Sequence, residues 1–188
     1  MQHIVITGGN RGIGLALVKQ YLAKGDKVSV LCRQPSPELA DLDVTLYSGV
    51  ELTEPEQIKE TAAKFAKNSI DVLINNAGIF CNETLDNFND DTILKQFQVN
   101  SIAPLLLSQR LLGAIKDGGK IAMITSRMGS ISDNSSGSYY GYRMAKAALN
   151  AGSVSLANDL APRNISVGIY HPGYVQTEMV SYGGDISP

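Results

Sequence analysis

The sequence has almost no cysteine: Cys32 and Cys81 are the only two. Two thiols in a chain of this kind read as buried or idle groups, not as a disulfide. An excess of one charge is missing as well. Lys and Arg number 16 against 18 Asp and Glu, a formal net charge of -2. The basic residues are scattered and form no stripe, which excludes nucleic acid or an anionic membrane as the main partner. No apolar run approaches the roughly 20 residues a membrane helix needs. The first residues enter a β-like apolar run with no charged leader, which points to a cytoplasmic address. Histidine is scarce too. His3 reads as a strand-start residue and His171 as a loop residue, and neither has a ligand-spaced partner, so no metal site is expected. What remains is ordinary: 44% hydrophobic and 18% charged residues over 188 positions. That composition suits one domain, residues 1–188, with a full core and no staples.

Periodicity and punctuation then divide the chain. Short, continuously apolar runs predict strands at His3 to Thr7, Lys27 to Cys32, Val44 to Tyr47, Asp71 to Asn75, Lys120 to Thr125 and Ile165 to Tyr170. Helical patterns fall between them. One runs from the glycine cluster to about Lys24, with Ile13, Leu17 and Tyr21 on one face. A second opens at Thr53, Pro55 and Glu56, where Thr53 is placed to cap and Glu56 to complete a capping box. A long one spans about Asp90 to Ile115, ended by Gly118 and Gly119. A small-residue helix runs from about Tyr139 to Leu160, after a polar loop over Ser126 to Ser138. Strands alternating with helices, and lacking polar alternation, predict a doubly wound α/β fold. Its parallel sheet would be covered on both faces, in three layers. Ligands of such sheets bind beyond the carboxyl ends of the strands.

TGGNRGIG, Thr7 to Gly14, lies directly between a strand and a helix. Glycines there permit positive φ and let the backbone approach a pyrophosphate. The helix that follows presents free N–H groups and a partial positive charge. A glycine-rich turn without a ligand is the plain alternative, but the flanking strand and helix favour a nucleotide loop.

With its TGxxxGIG spacing the chain resembles the short-chain dehydrogenase/reductase family, in the branch near the C-factor and Sniffer-like carbonyl reductases. The resemblance recurs in order along nearly the whole chain. NNAG occupies Asn75 to Gly78 and Asn100 sits in VN. Thr125 and Ser126 end the fifth strand. YRMAK holds Tyr142 and Lys146, and HPGYVQT holds Pro172, Gly173, Val175 and Thr177. The resemblance implies a Rossmann-like fold and hydride transfer between NADP(H) and a carbonyl or alcohol substrate. Catalysis would fall to Asn100, Ser126, Tyr142 and Lys146. The cofactor would be held by Gly8, Asn10, Arg11, Gly12, Ile13 and Gly14, by Arg33, Glu51 and Leu52, and by Asn76, Ala77 and Gly78. Tyr142, Lys146, Pro172, Gly173, Val175 and Thr177 would complete its site. Glu51 stands where relatives often carry an Asp that bonds the adenine. Relatives also continue past the sixth strand into a substrate-covering helix and a last strand. The chain lacks both, so a C-terminally incomplete domain is expected.

The residues carry part of this reading by themselves. Positions i and i+4 of a helix share a face, so the Tyr142 phenol and the Lys146 ammonium lie side by side. A neighbouring ammonium favours phenolate and should lower the phenol pKa from about 10. Tyr139 and Tyr140 have Arg143 and Met144 four residues on, so neither makes such a pair. Ser126 is preferred over Ser130 because the family places its serine at the strand end. In the family reading Asn100 holds a water that links Lys146 to solvent. NAD-specific chains usually end the second strand in an acid. Here it ends in Cys32 and Arg33, and Arg11 lies within the glycine loop, so a 2′-phosphate and hence NADPH are expected. Ala145, Ala147, Ala148, Ala151 and Gly152 give the last helix a surface for close approach, and a homodimer or homotetramer is expected. A sensor of NADP(H) with little turnover is the alternative from another class, and an isomerase or dehydratase on the same scaffold is a third.

Overall fold

A computed structural model describes residues 1–188. The strands are β1 (His3–Thr7), β2 (Lys27–Leu31), β3 (Thr45–Tyr47), β4 (Ile70–Asn75), β5 (Ile115–Ile124) and β6 (Ser166–Tyr170). The α-helices are α1 (Gly12–Ala23), α2 (Pro37–Ala40), α3 (Pro55–Ala62), α4 (Asp90–Phe97), α5 (Ala103–Leu111) and α6 (Tyr140–Leu160). All six strands are parallel, in the order β3-β2-β1-β4-β5-β6. The order reverses at β1 and β4, and a crevice opens there at the carboxyl ends of the strands.

Both faces of β1, β2 and β4 are buried, which is why these strands read as continuous apolar runs, whereas β6 at the sheet edge is partly exposed. Successive residues serve opposite layers. Ile4, Ile6, Val28, Val30, Val72 and Ile74 pack against α1 and α2 through Leu15, Val18 and Leu39. Val5, Leu31, Leu73, Ile121 and Met123 pack on the other face with Ile58 of α3, Leu107 and Leu111 of α5, and Leu149 and Leu160 of α6. Cys32 and Cys81 are free. His3 opens β1, with Nδ1 2.9 Å from the Ser69 carbonyl and Nε2 2.8 Å from the Ser29 hydroxyl. No helix is long and apolar enough to cross a membrane.

Three local expectations are corrected. The helix expected over Asp90 to Ile115 is two α-helices joined by a π-helical turn, Gln98–Ile102. Pro104 has no N–H to give the carbonyl four residues before it, so a regular α-helix is interrupted there. The second correction concerns Gly118 and Gly119, which do not end that helix. They lie within β5, where pairing with β4 jumps from Ile70↔Ile115 to Val72↔Lys120 and Gly118 takes φ +76°. Finally, the N-cap of α3 is Glu54, with extended φ and ψ, and not Thr53. Pro55 takes the first helical position, and the residue before a proline is forced into the extended region.

Candidate active site

The glycine loop leaves β1 and enters α1 at the crevice. Gly8 has φ +67°, and a Cβ on it would lie 2.9 Å from the Ala77 Cα. A Cβ on Gly14 would lie 2.2 Å from the Gly8 carbonyl oxygen and 2.5 Å from Asn76 Nδ2. Glycine is therefore demanded at both positions by backbone packing. The loop is tied to the end of β4. Asn76 Nδ2 donates to the carbonyls of Thr7 (3.0 Å) and Gly8 (3.2 Å). The Thr7 hydroxyl accepts from the amides of Asn76 and Ala77, each at 3.0 Å. Asn76 thus acts on the loop's shape. The first turn of α1 carries no acid, so its N-terminal partial charge is uncancelled.

From this loop a cleft of ≈ 570 Å³ runs to Tyr142 and Lys146. Sixteen of the residues expected to bind cofactor line it: Gly8, Asn10, Arg11, Gly12, Ile13, Gly14, Arg33, Glu51, Leu52, Asn76, Ala77, Gly78, Tyr142, Lys146, Pro172 and Thr177. Gly173 and Val175 do not. Gly173 turns with φ +90°, and Val175 is buried and bridges to Ile186. The wall also includes Thr125 and Val99, which lie in motifs of the resemblance, and Cys32, Gln34, Val50, Ile79, Lys95, Ile124, Glu178 and Met179, which were not expected as site residues. Gln34 and Glu178 directly follow the predicted Arg33 and Thr177, and adjacency is the one signal that pointed to them.

Both expected phosphate-binding arginines have acidic neighbours. Arg11 forms an ion pair with Glu178, and Arg33 Nη1 lies 3.7 Å from Glu51 Oε2. Arg11, Glu178 and Arg33 are more than half exposed, so these pairs are weak and exchangeable.

The far end of the cleft holds Tyr142 and Lys146, the pair expected to be catalytic. Lys146 is only 4% exposed, and its Nζ donates to the Ile124 carbonyl at 2.8 Å. Burial lowers its pKa to about 8. The ammonium lies 5.7 Å from the centre of the Tyr142 ring. Phe80 packs on Tyr142 edge to face at 4.9 Å, and stacks on Tyr139 at 5.3 Å. The Tyr142 phenol was expected below its ordinary value. Burial instead raises it, with the Ser126 hydroxyl pulling the other way. Lys146 is turned toward Ile124, which explains why its charge does not dominate the phenol. Ser126 lies just outside the cleft wall, and its hydroxyl accepts from the Met128 amide at 3.1 Å. Asn100 is fully buried in the π turn. Its Oδ1 accepts from the Ile79 amide and its Nδ2 donates to the Ile79 carbonyl, both at 2.8 Å. Its side chain therefore staples the segment after β4.

This geometry, a glycine cradle at one end of a cleft and a Tyr–Lys pair at the other, agrees with the sequence match to short chain dehydrogenase over residues 2–185. The chain belongs to the short-chain dehydrogenase/reductase family. Among solved structures it is similar to the carbonyl reductase Sniffer of D. melanogaster. That similarity has a TM-score of 0.89 and 29% identity, and covers 100% of this chain and 86% of that one. It is similar also to the NADPH-bound carbonyl reductase from chicken fatty liver. The TM-score is 0.86 and the identity 32%, over 98% of this chain and 84% of that one. Among curated relatives, C-signal of Myxococcus xanthus is 37% identical over 123 residues, 63% of this chain and 73% of that protein. The short-chain dehydrogenase/reductase family uses NAD(P), and the residues present fit such a cofactor. The cradle is one that a Cβ at Gly8 or Gly14 would fill, and the acid-free start of α1 opens into the cleft.

Proposed function

We propose that the chain is an NADP(H)-dependent carbonyl reductase or alcohol dehydrogenase acting on a small molecule. The observation that carries this reading is the pair of Tyr142 and Lys146 in the cleft that begins at the glycine loop. When bound there, NADP(H) supplies or accepts the hydride. Gly8, Gly12 and Gly14 leave room for the pyrophosphate against the start of α1. Arg11 and Arg33 grip the 2′-phosphate, exchanging their exposed acidic partners for a doubly charged one. In the reducing direction Tyr142 donates its phenolic proton to the carbonyl oxygen, which Ser126 orients. A raised phenol pKa keeps that proton in place at neutral pH, as a general acid requires. Lys146 stabilises the phenolate left behind and bonds the nicotinamide ribose. The side chain of Asn100 is committed to Ile79, so its part in the proton path runs through its main-chain carbonyl. Pro104, four residues on, offers that carbonyl no donor. Ala145 is buried within the chain, but Met144, Ala151 and Val154 are exposed on α6 and support a homodimer or homotetramer.

The test is consumption of NADPH with a panel of aldehydes, ketones and quinones. Tyr142→Phe should leave NADPH affinity nearly intact and cut kcat by about 10²–10⁴-fold. NADPH should bind about a hundredfold more tightly than NADH, since roughly 1.4 kcal/mol from each arginine is tenfold apiece. A Tyr142→Phe variant with wild-type kcat overturns the assignment, and equal affinities overturn the cofactor choice. A second reading, an NADP(H)-binding signalling protein, draws support from the similarity to C-signal. Cofactor binding without turnover of any carbonyl would favour it.

A further inference from the structure

Glu83 is the most deeply buried acid in the chain, at 1% exposure. No Lys, Arg or His pairs with it. Stripping a carboxylate of water is strongly unfavourable unless hydrogen bonds replace the lost hydration. Here donors meet both oxygens. Oε1 accepts from the Thr92 hydroxyl and from Gln96 Nε2, each at 2.7 Å, and Oε2 accepts from the Gly141 amide at 3.1 Å. The Glu83 main-chain carbonyl accepts from the Tyr139 amide at 2.8 Å. Gln96 is itself fully buried and turns its own Oε1 to the Cys81 amide at 2.8 Å. One acid thus joins the segment after β4, helix α4 and the first turn of α6.

The start of α6 needs such a fastening. Its N-cap, Tyr139, offers no side-chain cap. Ser138 and Tyr139 both hold left-handed backbone, at φ +54° and +57°, a conformation that is unfavourable for any residue with a Cβ. Such strain persists only where the surroundings over-determine it. Glu83 supplies that constraint on both sides of Tyr139, through its main chain and through Gly141. It also places a negative charge at the positive end of a 21-residue helix. The packing is tight: a Cβ on Gly141 would lie 2.4 Å from Gln96 Nε2 and 2.9 Å from the Ile93 Cα. Tyr142 follows Gly141 directly, and the Tyr139 ring is stacked on Phe80, which packs edge to face on Tyr142.

We propose that Glu83 is a positioning residue for Tyr142: it caps α6 from outside the helix and fixes the turn that aims the phenol and its aromatic wall into the cleft. The inference rests on Tyr142 being the proton donor. Glu83→Gln keeps the shape but turns one acceptor into a donor facing donors, and Glu83→Ala removes both acceptors. At saturating NADPH, kcat should fall about tenfold in Glu83→Gln and up to about a hundredfold in Glu83→Ala, the scale of a misplacement near 1 Å. The NADPH Kd, read by cofactor fluorescence, should stay within about threefold, because the clamp does not touch the glycine loop. If Glu83→Ala does not fold, Thr92→Val, which deletes one of the bonds, takes its place beside Glu83→Gln. A folded Glu83→Gln with kcat within about twofold of wild type overturns the proposal, as does a loss of NADPH affinity equal to the loss of kcat. Amide exchange separates this from the reductase reading. In Glu83→Gln the amides of residues 139–142 should exchange at least about tenfold faster while β1 and β4 keep their protection. Unchanged exchange there overturns the clamp even if the wild-type protein proves to reduce no carbonyl.

Discussion

Lys146 shows what burying an ammonium does to the fold that holds it. Its ammonium is desolvated and bonded to one carbonyl, and its pKa falls from 10.5 to about 8. Below about pH 8 the folded protein must carry the charge in a poorly solvated place. Between about 8 and 10.5 the unfolded chain binds the proton that the folded one releases, so stability rises with pH across that window. The group's contribution is fully present above the unfolded pKa and is lost as pH falls through the folded one. Each tenfold weakening of proton binding corresponds to about 1.4 kcal/mol. Lys146→Met removes this penalty but leaves the Ile124 carbonyl without its donor, which takes back about 1–2 kcal/mol. Without cofactor, Lys146→Met should therefore melt above wild type at pH 7, by about 1–2 kcal/mol of stability. The advantage should vanish or reverse near pH 10.5, while activity is lost throughout. Thermal melts at the two pH values check this, and a less stable variant at pH 7 would contradict it. The spacing of Tyr142 and Lys146 was legible in the sequence because a helix fixes it. The depth of Lys146 was not, because its partner Ile124 comes from another element. Glu83 was invisible for the same reason: its partners lie 9, 13 and 58 residues along the chain.

Elements were legible where one residue type forces the backbone. The glycine loop is the clearest case, since β1, the loop and α1 follow from an apolar run, three spaced glycines and a helical period. The loop's dependence on β4 could not be read, because it resides in Asn76 and the Thr7 hydroxyl. Where two punctuators competed, the sequence misled. Gly118 and Gly119 looked like a helix stop and proved to be an irregularity inside β5, while Pro104 in mid-pattern marked the break that was missed. The close contact at Gly14 gives a prediction of its own. An added methyl would meet the Gly8 carbonyl and Asn76 Nδ2 well inside contact distance, so Gly14→Ala must push the loop away from β4. We expect a stability loss of about 1–3 kcal/mol, the range for overpacking. NADPH affinity should fall by at least about tenfold, because the amides at the start of α1 move with the loop. Equilibrium unfolding and fluorescence titration measure the two effects. Unchanged affinity would mean that the pyrophosphate is not held there.

At the scale of the whole molecule, the alternation of buried strands and helices set the doubly wound class. The strand order came only with the structure and the family, because apolar strands of similar length are interchangeable to a pattern reader. What the fold leaves exposed is informative as well. Along α6, Met144 (51%), the small Ala147, Ala148 and Ala151, and Val154 (54%) form a stripe three and four residues apart. Leu94 of α4 (61%) and Ile102 of the π turn (49%) are exposed too, and both elements pack against α6. Single exposed apolar residues are ordinary on protein surfaces, whereas grouped ones mark contacts. Small residues let two helices approach to about 8–10 Å. A two-fold axis would bring the stripe against its own copy, since such an interface is self-complementary. Light scattering at micromolar protein should therefore give a dimer or tetramer mass. Val154→Glu should shift it to monomer, because the symmetry places two new carboxylates together in an apolar contact. Its exposed position in the single chain means the substitution leaves the core packing alone, so the monomeric variant should keep its NADPH affinity. A wild-type protein that scatters as a monomer at every concentration would show that the stripe meets no copy.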